Sequence, residues 1–292
     1  MLDRRAAQLA EEWDLTLGEP LEGGTVAHAH EATDADGRAC VLKLLPAQMG
    51  EGDGDYFAER DVLAAGHGRA YVELLRSDDA RQAMLLERLG AKMVDNGKSI
   101  DEWNDALCEL LLVAWEIDLD PPPASQMTAA QKCEWLADFI PRRWQAHDEP
   151  CSRAVVDEAL RFVERRGAAF DPATAVVVHG DAHMWNALAT LDGDGYKFID
   201  PDPFVAERAA DLAVPMHEWS GERLIGGEPL RANQRRCARL ARNTGCDPQA
   251  IWEWGAVERV ATALLGLDVP HKVGPMGDWF VVAEACVGGG PA

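Results

Sequence analysis

Basic residues, and lysine above all, are scarce in this sequence. Its 292 residues include 28 Lys and Arg against 50 Asp and Glu, so the formal net charge is -22. A surface with this excess of negative charge repels phosphate backbones and anionic lipids. We therefore expect neither a nucleic-acid nor a membrane partner. A cationic small molecule is the kind of ligand that such a field attracts, although the same charge would also serve solubility alone.

Paired cysteines and long apolar runs are missing as well. The seven cysteines, at positions 40, 108, 133, 151, 237, 246 and 286, include no Cys-x-x-Cys pair, so neither a thiolate zinc site nor a disulfide framework is indicated. No run reaches the ~18 apolar residues of a membrane span. The first residues lack the apolar stretch of a signal peptide. With 47% hydrophobic residues available for a core, we expect a globular, cytoplasmic protein with reduced thiols.

The pattern along the chain predicts a β-rich first part and a helical second part. Between Leu15 and Leu45, short apolar segments alternate with glycines and with the turn Asp34–Gly37, as in an antiparallel sheet. A helix over 55–66 and strands over 72–75 and 83–86 complete this part. Helices then dominate, over 100–117, 128–146 (kinked or split at Pro141), 152–167, 207–219, 229–244, 248–267 and 278–287. We predict an α+β fold with an N-lobe of residues 1–90 and a C-lobe of residues 91–292.

The most informative segment is His179-Gly180-Asp181-Ala182-His183-Met184-Trp185-Asn186, which follows a short buried strand. A hairpin around Asp192–Gly195 comes next, and Asp200 ends its second strand, fourteen residues after Asn186. Phosphoryl transfer needs a carboxylate that takes the acceptor's proton and hard oxygen ligands that hold Mg²⁺. We therefore predict Asp181 as the catalytic base. Asn186 and Asp200, which the hairpin should bring together, are the predicted Mg²⁺ ligands.

A kinase of this kind also needs a lysine for the nucleotide phosphates and a carboxylate to hold that lysine. Lys43, one of only six lysines, lies on a predicted strand in Val-Leu-Lys-Leu-Leu. Glu59 on the following helix is the best-placed partner, and Glu51 is the weaker candidate. An edge-strand lysine with its head group in solvent is the alternative interpretation of Lys43.

The end of the N-lobe should offer backbone groups to the adenine. We predict that the carbonyl of Glu87 and the amide of Leu89 make these contacts. The loop that covers the phosphates is less well marked, because Gly-x-Gly-x-x-Gly is absent and only Gly23 and Gly24 occur in the first turn. Two adjacent glycines still permit close approach of the backbone to a phosphate.

Other interpretations of the central segment stay open at this point. The alternation His179-x-Asp181-x-His183 is also found in metallohydrolases that bind zinc or iron. Such an enzyme needs further ligands, and the only other close histidine pair is His28-x-His30. His183 could instead contact the substrate or simply pack. A nucleotide-binding module without activity is a third possibility.

These motifs resemble those of the aminoglycoside phosphotransferase family, which has a protein-kinase-like fold. Three further segments are similar to the branch that contains streptomycin 6-phosphotransferases and hydroxyurea kinases, namely Leu85-Leu86-Glu87-Arg88-Leu89, Ile199-Asp200-Pro201-Asp202-Pro203 and Glu207-x-x-x-Asp211-Leu212. The resemblance departs from protein kinases at Pro201, which replaces the Phe of Asp-Phe-Gly.

The resemblance implies a two-lobed, kinase-like fold and the site roles assigned above, with Asp211 bracing the catalytic loop. It implies ATP as phosphoryl donor, without excluding GTP, together with Mg²⁺. The acceptor would be a small, cationic, hydroxylated molecule, an aminoglycoside such as streptomycin. Hydroxyurea or another small metabolite is the alternative acceptor. The oligomeric state and the physiological role in antibiotic resistance stay open.

Overall fold

The computed structural model describes residues 2–21, 27–46, 55–119, 126–217, 227–268 and 277–292. After helix α1 (Leu2–Glu12), a five-stranded antiparallel sheet is formed by β1 (Thr16–Leu21), β2 (His28–Thr33), β3 (Ala39–Leu44), β4 (Leu74–Asp78) and β5 (Ala83–Glu87). The strand order is β1-β2-β3-β5-β4. Helix α2 (Tyr56–Gly66) connects β3 to β4. Its N-cap is Asp55, whose side chain accepts the backbone N–H groups of Phe57 and Ala58.

The two faces of β3 have different environments, because successive side chains of a strand point to opposite sides of its sheet. Cys40, Leu42 and Leu44 are fully buried in a small cluster with residues of α1, including Leu9. Lys43, which lies between two of these residues, faces the other way. The apolar alternation of this strand therefore directs its one lysine toward the second lobe.

The second part of the chain is mostly helical. Its helices are α3 (Ile100–Ala114), α4 (Ala129–Ala146), α5 (Arg153–Ala168), α6 (Ala213–His217), α7 (Pro229–Thr244), α8 (Pro248–Asp268) and α9 (Gly277–Cys286). Capping boxes at Ser99 and Thr128 start α3 and α4. Helix α4 runs through Pro141 as one continuous helix, so it is not split there, and a kink at Pro141 stays a prediction. None of the helices in the described ranges is long and apolar enough to cross a bilayer.

Two small antiparallel sheets lie between α5 and α6. Strands β7 (Ala187–Ala189) and β8 (Tyr196–Phe198) form the predicted hairpin, while β6 (Val176–Val178) pairs with β9 (Phe204–Ala206). The predicted helix over 207–219 starts instead as a 3-10 helix (Arg208–Leu212), which continues into α6. This 3-10 turn carries Asp211, for which the resemblance implies a bracing role.

The lobes are joined by backbone hydrogen bonds as well as by apolar packing. Val72 N–H donates to the carbonyl of Phe198 at 2.8 Å, and Phe198 N–H donates to the carbonyl of Ala70 at 2.8 Å. Gly90 N–H donates to the carbonyl of Ala189 at 2.7 Å. The larger buried cluster runs from Leu45 through both parts of the chain. These contacts hold the hairpin of the C-lobe against the N-lobe. The boundary between the two lobes at residue 90 stays a prediction.

Candidate active site

A buried carboxylate holds the loop that follows β6. Asp211 is 1% exposed and accepts N–H groups from three residues, the backbones of His179 (2.9 Å) and Gly180 (2.8 Å) and the indole of Trp115 (2.7 Å). Burial raises the pKa of Asp211 to about 6, and these donors oppose the rise. The bracing role that the resemblance implied for Asp211 agrees with these contacts.

Glycine is required at position 180 for two separate reasons. Its φ of +81° lies in the left-handed region. A Cβ atom there would also lie 1.9 Å from the carbonyl oxygen of Asp202. A hydrogen bond also joins Asp202 to the loop, since its backbone N–H donates to the carbonyl of His179 at 2.9 Å.

Gly180→Ala should therefore destabilise the protein by more than backbone strain alone. Gly193 is a matched control, because its φ is +82° and nothing lies within 4 Å of its would-be Cβ. We expect Gly193→Ala to cost about 1 kcal/mol and Gly180→Ala at least ~2 kcal/mol more, since the Asp202 backbone must move. Urea unfolding of both variants measures the difference, and equal costs would contradict the assigned close contact.

Both ring nitrogens of His179 are engaged in hydrogen bonds within the loop. Nδ1 accepts the backbone N–H of Asp181 at 3.1 Å, and Nε2 donates to the carbonyl of Ile199 at 3.1 Å. Burial lowers the pKa of His179 to about 4, so the ring is neutral near pH 7. Neither nitrogen has a lone pair available for a metal ion. Within the described ranges, no group of three or more His, Cys, Asp or Glu side chains is placed to hold one.

The Asp181 side chain is anchored at one of its two oxygens. Asn186 Nδ2 donates to Oδ2 of Asp181 at 3.0 Å and to its backbone carbonyl at 3.1 Å. His183 Nε2 lies 3.3 Å from the same Oδ2. Burial alone would raise the pKa of Asp181, but the charge and hydrogen bond of His183 are the main causes that lower it below its usual value. The side chain is 46% exposed, so the ionised carboxylate is accessible to solvent.

The predicted metal ligands are brought to adjacent positions by the hairpin. Ile199 N–H donates to the backbone carbonyl of Asn186 at 2.8 Å, which places Asp200 directly beyond this pair. Asp200 has a φ of 52°, a left-handed conformation that few non-glycine residues adopt. Because both partners of Asn186 Nδ2 are oxygens that can only accept, the amide oxygen Oδ1 is left for other partners. An amide oxygen and a carboxylate are hard ligands that suit Mg²⁺.

Lys43 connects the N-lobe to this group of residues. Its Nζ lies 2.5 Å from Oε1 of Glu59 and 2.7 Å from Oδ1 of Asp200. Lys43 and Glu59 are 6% and 4% exposed. Burial lowers the pKa of Lys43, but the two carboxylates raise it more, so the net direction is upward and the ammonium stays charged. The predicted pairing of Lys43 with Glu59 is present, and Glu51 lies outside the described residues.

The predicted adenine contacts lie at the end of β5. Glu87 is its last residue, and Leu89, which is 4% exposed, precedes the lobe-joining Gly90. The Glu87 carboxylate accepts hydrogen bonds from Nζ of Lys197 and, at 2.8 Å, from Glu73 N–H. The sequence offered no signal for this second role of Glu87, because its lysine partner is 110 residues away. Gly23 and Gly24 lie outside the described residues, so their phosphate contacts stay a prediction.

Together, the fold and these residues define a two-lobed small-molecule kinase. The sequence matches the family described as aminoglycoside/hydroxyurea antibiotic resistance kinase over residues 19–266. The chain belongs to this family, which confirms the family resemblance and the kinase-like α+β fold. Among curated proteins, no sequence matches the chain significantly.

Solved structures of small-molecule kinases have the same fold. Aminoglycoside phosphotransferase APH(4)-Ia, in a ternary complex with ADP and hygromycin B, is 16% identical; the match covers 96% of this chain and 97% of that one, with a TM-score of 0.62. Choline kinase LicA from Streptococcus pneumoniae is 13% identical, with 97% of each chain covered and a TM-score of 0.64. Plasmodium vivax ethanolamine kinase is 14% identical, with 93% and 82% covered and a TM-score of 0.62.

Proposed function

We propose that this protein transfers the γ-phosphoryl group of ATP to a hydroxyl of a small cationic molecule, an aminoglycoside such as streptomycin. The observation that carries the proposal is the convergence of Lys43, Asp200, Asn186 and Asp181 from both lobes on one interlobe site. The family description and the net charge of -22 support a cationic antibiotic as acceptor. The site would then serve antibiotic resistance in the cytoplasm.

Each of these residues has a separate task in the proposed reaction. The Lys43 ammonium binds the nucleotide phosphates, and Glu59 fixes its position. Asn186 and Asp200 would hold Mg²⁺, which when bound neutralises phosphate charge. The Asp181 carboxylate accepts the proton of the acceptor hydroxyl while that oxygen forms its bond to the γ-phosphorus. The bond from the γ-phosphorus to the bridging oxygen breaks, and ADP leaves.

A second acceptor class follows from the family description, which also names hydroxyurea. The chemistry at the γ-phosphorus would be the same with this acceptor, so the catalytic residues do not separate the two. A nucleotide-binding module without activity is less well supported, because a degenerate member would be expected to have lost at least one of the four residues that converge here.

Acceptor-dependent release of ADP tests the proposal. The purified protein is incubated with ATP and Mg²⁺ and screened with streptomycin, other aminoglycosides, choline, ethanolamine and hydroxyurea, and then with GTP in place of ATP. We expect the strongest stimulation by an aminoglycoside, and phosphorus NMR of the product locates the modified hydroxyl. No stimulation by any acceptor, with nucleotide still bound, would favour the module without activity.

Removing divalent cations should stop turnover and leave the fold intact. Asn186 and His179 are held by hydrogen bonds within the chain, so the loop does not need a metal for its structure. We expect EDTA to abolish ADP release while the thermal unfolding midpoint of the nucleotide-free protein stays unchanged. Excess Mg²⁺ should restore activity. A stoichiometric transition metal in the purified protein, together with a large drop in the midpoint, would favour the metallohydrolase instead.

A further inference from the structure

The hydrogen bonds around His183 determine which of its ring nitrogens carries the proton. Nδ1 accepts the backbone N–H groups of Trp185 and Asn186, both at 3.2 Å. A nitrogen that accepts hydrogen bonds has a lone pair and no proton, so a neutral ring carries its proton on Nε2. That nitrogen lies 3.3 Å from Oδ2 of Asp181. His183 therefore donates to Asp181 in the neutral as well as in the charged form.

Two donors then meet at one oxygen of the carboxylate. Asn186 Nδ2 contacts the same Oδ2 at 3.0 Å, and the His183 and Asn186 side chains are themselves largely buried. Two partners in fixed positions restrict rotation of the carboxylate about its terminal torsion, which is otherwise broad. Oδ1 is then the oxygen presented to an incoming hydroxyl.

We propose that His183 is a positioning residue for the base Asp181, holding Oδ2 so that Oδ1 meets the acceptor hydroxyl. This inference rests on the proposed function, because it needs Asp181 to act on a hydroxyl. His183 does so from within the loop: one nitrogen caps the turn that leads to Asn186 and the other orients the carboxylate. Positioning errors of about 1 Å cost on the order of 100-fold in rate.

Two amide substitutions separate the two nitrogens of the ring. In His183→Asn, the side-chain oxygen occupies the place of Nδ1 and can accept the same backbone N–H groups in an Asx turn, but no donor reaches Asp181. In His183→Gln, the amide nitrogen occupies the place of Nε2 and can donate to Asp181, while the cap is lost. The pair therefore distinguishes a positioning role from a purely structural one.

Steady-state kinetics with ATP and the acceptor found in the screen decides between these roles. We expect kcat to fall about 10- to 100-fold in His183→Asn and severalfold at most in His183→Gln, with the KM values for ATP and acceptor within twofold of wild type. His147→Asn is the matched control, because His147 Nε2 pairs with Asp268 at 3.0 Å on the surface, and its kcat should not change.

Several results would overturn the proposal. If His183→Asn keeps the wild-type kcat and His183→Gln loses more activity, the only role of His183 is to cap the turn through Nδ1. A raised acceptor KM at unchanged kcat would make His183 a binding contact. If His183→Asn does not fold, His183→Gln is compared with His183→Leu, and equal kcat values there contradict the proposal. A wild-type protein without kinase activity would instead overturn the proposed function.

Discussion

Asp181→Asn should lower kcat by about 10²- to 10⁴-fold, the range that general bases contribute. The substitution removes the charge that accepts the hydroxyl proton and keeps the size and shape of the side chain. The amide oxygen can still accept from Asn186 and His183, so the loop should keep its conformation. Acceptor-dependent ADP release measures the rate, and calorimetric titration with a non-hydrolysable ATP analogue measures binding.

Nucleotide affinity is the internal control for this variant. Lys43 contacts Glu59 and Asp200, and Asp181 takes no part in that group, so the dissociation constant for the analogue should stay within about threefold of wild type. Asp157→Asn on α5, which alters a surface pair with Arg153, should leave both quantities unchanged. Full turnover by Asp181→Asn would remove the base from the proposed mechanism.

The sequence predicts the parts of the site that depend on local patterns. Alternation along β3 separates Lys43 from Cys40 and Leu42, so the strand alone predicts that Lys43 lies on the opposite face of the sheet, and its burial follows only from the structure. The turn residues Asp192–Gly195 predict the hairpin, and that hairpin brings Asp200 next to Asn186. These features follow from the alternation of side chains along a strand or from a turn motif, and both patterns are visible within a few residues of the sequence.

Other features of the site depend on contacts that no local pattern encodes. Tyr71 stacks on the His179 ring with centroids 5.7 Å apart, although 108 positions separate them in the sequence. Strand β9 has only three residues, too few to show the alternation by which a strand is recognised, so the sequence predicts no strand there. The histidine tautomers depend on which backbone N–H groups face each nitrogen, which residue type alone cannot reveal.

The second large effect, on stability and on activity, is expected at the buried ion pair of Lys43 and Glu59. Lys43→Met should destabilise the protein by about 3–5 kcal/mol, because Glu59, only 4% exposed, would lose its counter-ion in a region of low dielectric constant. The same substitution should lower kcat/KM for ATP by at least ~100-fold, since a preorganised positive charge for the phosphates is lost. Urea unfolding and ADP release measure the two effects separately.

A double variant tests whether stability and phosphate binding are separable at this pair. Lys43→Met combined with Glu59→Leu removes the uncompensated carboxylate, so most of the lost stability should return while turnover stays low. Arg38→Met is the control for the loss of a salt bridge at the surface. Arg38 and Glu73 lie 2.7 Å apart and their side chains are 49% and 44% exposed, so this pair should contribute at most ~1 kcal/mol to the free energy of unfolding. Recovery of turnover in the double variant would mean that Lys43 supports the fold without binding the phosphates. Unchanged stability in Lys43→Met would mean that Glu59 finds another partner, and the pair would then be specific to phosphate binding.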